Sequence, residues 1–187
     1  MFRPIRLAQA IVLAGVAALI AVPAVLADTA PATASVTGGS LTETTASTPS
    51  VSVTLNGTDQ VPTYTMAIAT KDQTGSGSGW NLTITSTTFS TGGGSPQTLS
   101  NTASEVKGVT SACARGTCTN PTNSVSYPLT LPAGSAIPAT PVKLFNAAVG
   151  TGLGDFTVTP TVGVSIPANT YAGTYTSTIT LAVASAP

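Results

Sequence analysis

Residues 80–85, Trp80-Asn81-Leu82-Thr83-Ile84-Thr85, alternate large apolar and smaller polar side chains at period two. That spacing puts Trp80, Leu82 and Ile84 on one face of a β-strand and Asn81, Thr83 and Thr85 on the other. Just upstream, Thr74-Gly75-Ser76-Gly77-Ser78-Gly79 reads either as a plain hairpin turn or as a pliant approach giving access to the strand. Trp80 is the only tryptophan of the chain, so functional reading turns on what its face meets. Parity with Ile84 favours a sandwich core. The alternative is an exposed platform on which Trp80 and Leu82 receive a sugar.

The same period recurs on both sides of this strand. Val51, Val53 and Leu55 alternate with Ser52, Thr54 and Asn56 ahead of an Asn56-Gly57 turn signal. Tyr64, Met66 and Ile68 form a second run, and the cleanest is Tyr175, Ser177, Ile179, Leu181 and Val183 against Thr174, Thr176, Thr178, Thr180 and Ala182. Shorter candidates lie at 124–131, 142–146, 155–159 and 162–166, divided by turn clusters such as Pro132-Ala133-Gly134-Ser135. The segment 91–123 reads as a long loop with one short strand near Val106. Many short strands without helical periodicity predict an all-β fold, an antiparallel β-sandwich of Greek-key or Ig-like type.

At the N-terminus, Arg3 and Arg6 precede an apolar stretch over 8–22, and Val25-Leu26-Ala27 offers a small-residue cleavage site. Residues 1–27 are therefore expected to be a cleaved signal peptide, 28–35 a flexible leader of Ala, Thr and Pro, and 36–187 the folded domain. Pro23 interrupts the apolar stretch and no charged stop-transfer flank follows it, so no membrane anchor is expected after cleavage. Beyond residue 27 the basic residues are Lys71, Lys107, Arg115 and Lys143, set against six acids with no cluster of either sign. Nucleic acid is a poor partner for such a surface, because phosphate binding needs concentrated Lys and Arg.

Cys113 and Cys118 are the only cysteines and bracket Ala-Arg-Gly-Thr. In an exported protein the pair reads as a disulfide, closing a short loop that stabilises the fold by about 2 kcal/mol. As a metal pair it supplies too few ligands for zinc, since the chain has no histidine. No cofactor and no metal site are expected.

The missing histidine also removes Ser-His and Cys-His nucleophile systems. A glycosidase needs two facing carboxylates about 5–10 Å apart, and the acids here are scattered. The sequence reads as noncatalytic. Asp72, beside Lys71 in the glycine-rich approach, is read first as a loop cap and second as a cation ligand. Tyr64, Tyr127, Tyr171 and Tyr175 are candidates to line a saccharide site, but Tyr64 and Tyr175, on the apolar parity of their strands, are read first as core.

The run Asp72-Gln73-Thr74-Gly75-Ser76-Gly77-Ser78-Gly79-Trp80-Asn81-Leu82 resembles the first signature of WxL-domain proteins, in which an Asp and a Gly-rich turn lead into Trp-x-Leu. Gly39-Ser40-Leu41-Thr42, Ile166-Pro167-Ala168 and Ala172-Gly173-Thr174-Tyr175-Thr176 also resemble the family, so the likeness spans about residues 34–187. A second Trp-x-Leu, common in the family near the C-terminus, is replaced here by Leu181-Ala182-Val183. The resemblance implies a secreted bacterial protein held noncovalently on the cell wall, with peptidoglycan or another wall glycan as ligand and other exported surface proteins as partners. Trp80, Leu82, Asp72 and Tyr171 are the candidate ligand-binding residues under that reading. Two alternatives remain: a subunit of an extracellular filament joined by strand addition, and a module that binds another exported protein.

Overall fold

Every apolar residue of the Trp80 run lies inside the molecule, as period two predicts. The computed structural model describes residues 31–45, 48–135 and 137–187, and the expected signal peptide lies outside them. Residues 31–35 are exposed and carry no regular structure, and Val36–Pro187 form one compact unit.

The strands in chain order are β1 (Leu41–Thr45), β2 (Thr63–Thr65), β3 (Ile68–Asp72), β4 (Trp80–Thr87) and β5 (Ser104–Arg115). They continue with β6 (Leu129–Thr130), β7 (Ala133–Gly134), β8 (Val142–Ala147), β9 (Gly154–Val164) and β10 (Ile179–Ser185). One sheet runs β1-β3-β9-β5-β6, with β2 also on β9; the other runs β10-β4-β7, with β8 also on β4. Pairing is antiparallel except where Ser86 and Thr87 of β4 run parallel to Ala133 and Gly134 of β7.

Both sheets feed a single core. Ile68, Val106, Phe156, Val158 and Val162 enter from the first sheet, and Trp80, Leu82, Ile84, Leu144 and Phe145 from the second. In β3, in β4 as far as Ile84 and in β9 as far as Val162 they alternate with half-buried neighbours, as a two-sheet sandwich requires, whereas Leu144 and Phe145 are consecutive and both buried where the β4–β8 register shifts. β3 and β4 sit in different sheets, so the glycine-rich run between them crosses the sandwich and is not a hairpin turn.

Six regions depart from the sequence reading: the Tyr64–Ile68 run breaks at Met66 and Ala67 into β2 and β3, the Tyr175–Val183 run is a strand only from Ile179, and four more differ as follows. β5 is a twelve-residue strand where a loop was expected. Only its first part has a dry face; residues 110–115 are exposed throughout and are held by their ladder to β9, so no hydrophobic period betrays them. The candidates 155–159 and 162–166 are one strand, β9, running through Pro160. The Pro160 carbonyl accepts from the Met66 amide, so its side of the strand faces the break between β2 and β3, where the missing N–H forfeits no ladder bond. Among the described residues, 51–55 join no ladder; Val51 packs on the core while Val53 and Leu55 are exposed, and β2 occupies the neighbouring edge of β9. Of 124–131, only Leu129 and Thr130 pair, against Val106 and Glu105, since Pro128 has no N–H to give.

Candidate functional site

Trp80 opens β4 and points inward, with no accessible surface (0 %). Its ring packs on Phe145 with centroids 5.8 Å apart, and its indole N–H donates to the Gly152 carbonyl at 2.9 Å. Gly152 is required there. Its φ is +75°, and a Cβ would lie 2.6 Å from Trp80 Nε1 and 2.4 Å from the Ala147 Cβ. Leu82, two residues on, is equally buried against Phe145 and Val183, its ladder partners. Core packing is thus the arrangement adopted, and a ligand reaches neither side chain of the Trp-x-Leu pair.

Other polar contacts hold this end of the sandwich shut. The Cys113–Cys118 disulfide is formed, and the next residue, Thr119, exchanges backbone hydrogen bonds with Leu153 and Gly152. Further along, the Thr122 amide donates to Thr151 Oγ1, and the buried Asn146 side chain accepts from the Ser124 amide. The staple therefore lies next to the strap that carries the acceptor of Trp80.

Asp72 caps the crossing loop. Its Oδ1 accepts from the Thr74 amide at 3.1 Å and from Thr74 Oγ1 at 2.6 Å, and Thr74 Oγ1 in turn lies 2.9 Å from Ser76 Oγ. This side-chain turn takes up the carboxylate locally. Among the described residues no three acids or cysteines gather around a point that could hold a metal ion.

A cavity of about 560 Å³ lies elsewhere. Residues 48–51 form one wall, residues 174–179 the other, and Tyr64, Met66 and Phe89 the floor. Backbone hydrogen bonds fix the second wall, from Thr87 to Thr178 and in both directions between Ser90 and Thr176. Tyr64 is 9 % exposed and makes no hydrogen bond to a described residue; burial pushes its hydroxyl up to about 12. Tyr127, outside the groove, is raised too by burial, against a lowering contribution from Asn123, and it donates to the Leu144 carbonyl.

A smaller depression of about 220 Å³ adjoins the groove at Tyr175, which lines both. Tyr171, 69 % exposed, stands in it with Gln97 and Asn169, and the Tyr175 hydroxyl donates to the Tyr171 carbonyl. Of the four expected ligand residues, then, only Tyr171 lines a surface depression. Trp80 and Leu82 are in the core, and Asp72 is under the crossing loop. The groove escaped the sequence reading because its parts lie far apart in the chain; Tyr64 and Tyr175, which line it, stood on the apolar parity of their strands and read as core.

A model of the family described as "WxL domain surface cell wall-binding" matches residues 33–187. The chain belongs to the WxL family. No curated protein and no solved structure matches it. The WxL assignment covers the whole sandwich, signature and groove alike, and makes this a surface protein of a cell-wall-binding family. In this WxL domain the signature Trp is an architectural residue.

Proposed function

We propose that the protein is a noncatalytic, exported WxL protein that attaches noncovalently to the cell wall, with peptidoglycan as its ligand, and serves adhesion or surface display. The observation that carries this reading is the cell-wall-binding family match across residues 33–187. An uncharged groove floored by aromatic side chains is in keeping with it, since glycans are held by ring faces and hydroxyl contacts more than by ion pairs. The experiment is retention of the purified protein on purified, protein-free peptidoglycan. The reading expects co-sedimentation that survives high salt; a protein left wholly in the supernatant rejects it.

A second reading, a subunit of an extracellular assembly joined by strand addition, draws support from β10. This edge strand, Ile-Thr-Leu-Ala-Val-Ala-Ser, carries no charge and no proline to discourage pairing. Electron microscopy at high protein concentration discriminates, because monodisperse single particles would count against it.

A further inference from the structure

Polar atoms enclosed in a protein almost always find a partner. Around the core this holds: the Trp80 N–H has Gly152, the Tyr127 hydroxyl has Leu144 and the Tyr175 hydroxyl has Tyr171. Among the described residues the one enclosed side-chain atom without a partner is Thr70 Oγ1. Tyr64 stands apart from all of these. It is nine-tenths buried, its hydroxyl bonds no described residue, and yet it is not sealed in, because it lines the floor of the groove. The phenol is a donor held ready for something that enters from solution.

The chemistry around it narrows what enters. Among the described residues no charged side chain lines the groove or the depression beyond Tyr175. Phosphate-rich polymers and the ionised stem peptides of a cell wall call for charge-assisted hydrogen bonds, which such a lining lacks. What it offers instead is apolar surface from Val51, Met66 and Phe89, rims of Ser and Thr hydroxyls, and the amides of Gln97 and Asn169. Amides and hydroxyls both donate and accept, matching the hydroxyl and acetamido groups of an amino sugar. Apolar side chains match the C–H faces of a pyranose and the methyl of its N-acetyl group. The wall over residues 174–178 is already fixed by the ladder to 87–90, so little ordering cost remains on binding.

We propose that the groove over Tyr64 and the depression at Tyr171 are two subsites, meeting at Tyr175, for an uncharged N-acetylated glycan strand. The proposal rests on the wall-binding function above and assigns it a surface. Tyr64 donates to the sugar at the closed end, and exposed Tyr171 supplies a stacking face at the open end.

The test measures binding of purified wild type, Tyr64→Phe, Tyr171→Ala and Thr157→Ala to purified peptidoglycan and, separately, to a soluble N-acetylglucosamine tetramer. Thr157 lies on the outward parity of β9, away from the groove, and serves as control. Circular dichroism and melting establish that each variant is folded; Tyr171 is exposed, so its truncation leaves the core untouched. The expected result is tetramer binding weakened about tenfold by Tyr64→Phe, the loss of one hydrogen bond, and several-fold by Tyr171→Ala. Thr157→Ala binds as wild type. If wild type sediments with peptidoglycan and neither tyrosine variant is impaired, the site is wrong and the function stands. If wild type fails to sediment, the function falls and the site with it. Retention on peptidoglycan without affinity for the tetramer overturns the neutral-glycan assignment, as does a groove whose variants alter only self-association.

Discussion

Trp80 and Tyr64 make an instructive pair. Both are aromatic, both sit on the inward parity of a strand, and each carries one polar atom into the interior. The indole N–H of Trp80 ends on Gly152, in a niche that admits no extra carbon atom and is strapped by the loop beyond the disulfide. The Tyr64 hydroxyl bonds no described residue, and its side chain lines a cavity of about 560 Å³. One end of the sandwich is closed on itself and the other is open and unsatisfied. Trp80 thus holds the fold, while the proposed glycan site lies at Tyr64, where the side chain lines an open groove.

The difference can be broken from the closed side first. Trp80→Ala should cost about 3–5 kcal/mol, because it empties the centre of the core and strands the Gly152 carbonyl. Urea titration followed by circular dichroism reads this. A variant as stable as wild type that had lost wall binding would reverse the roles of the two aromatics. Gly152→Ala should cost roughly 2–3 kcal/mol, since the new methyl meets Nε1 of Trp80 and the Ala147 Cβ at a backbone φ of +75°. The paired change Cys113→Ser and Cys118→Ser opens a loop whose ends are five residues apart and should cost about 2 kcal/mol. Hydrogen exchange should then rise first at Thr119 and Gly152, the strap beside it.

On the open side the effects are smaller. Burial raises Tyr64 from an ordinary 10 to about 12, so the folded state holds its proton where the unfolded chain releases it. That contribution to stability is fully present below about pH 10 and is lost as pH rises through about 12; it amounts to at most about 3 kcal/mol. Tyr64→Phe should flatten this alkaline fall in chemical denaturation series, leaving a remainder from Tyr127, which is raised as well. At neutral pH the same substitution should change stability by less than about 0.5 kcal/mol, because no hydrogen bond within the protein is lost.

Sequence legibility followed the dry faces. Trp80, Leu82 and Ile84, and the alternation from Ile179 to Val183, could be read directly, because one parity there is buried or half-buried and the other meets more water. β5 could not, since its second half is paired through the backbone while both faces meet water. Pro160 disguised one strand as two, and Val51 to Leu55 showed the alternation of a strand with no ladder to join. Of the candidate site, the capping role of Asp72 was visible in the turn chemistry, and the exposure of Tyr171 fitted its place outside the strand runs. The groove was not, because residues near 50, 64, 89 and 176 meet only after both sheets have closed.

Trp80 is enclosed, and the proposed wall binding leaves it untouched. As the single tryptophan it is its own probe, so the direct measurement is fluorescence of the purified protein with an aqueous quencher, before and after saturation with peptidoglycan fragments. An enclosed Trp80 away from the glycan should give blue-shifted emission, quenching only on unfolding, and a spectrum unmoved by the glycan. Emission typical of a solvated indole, or a spectral shift and protection from quencher on glycan binding, would contradict it.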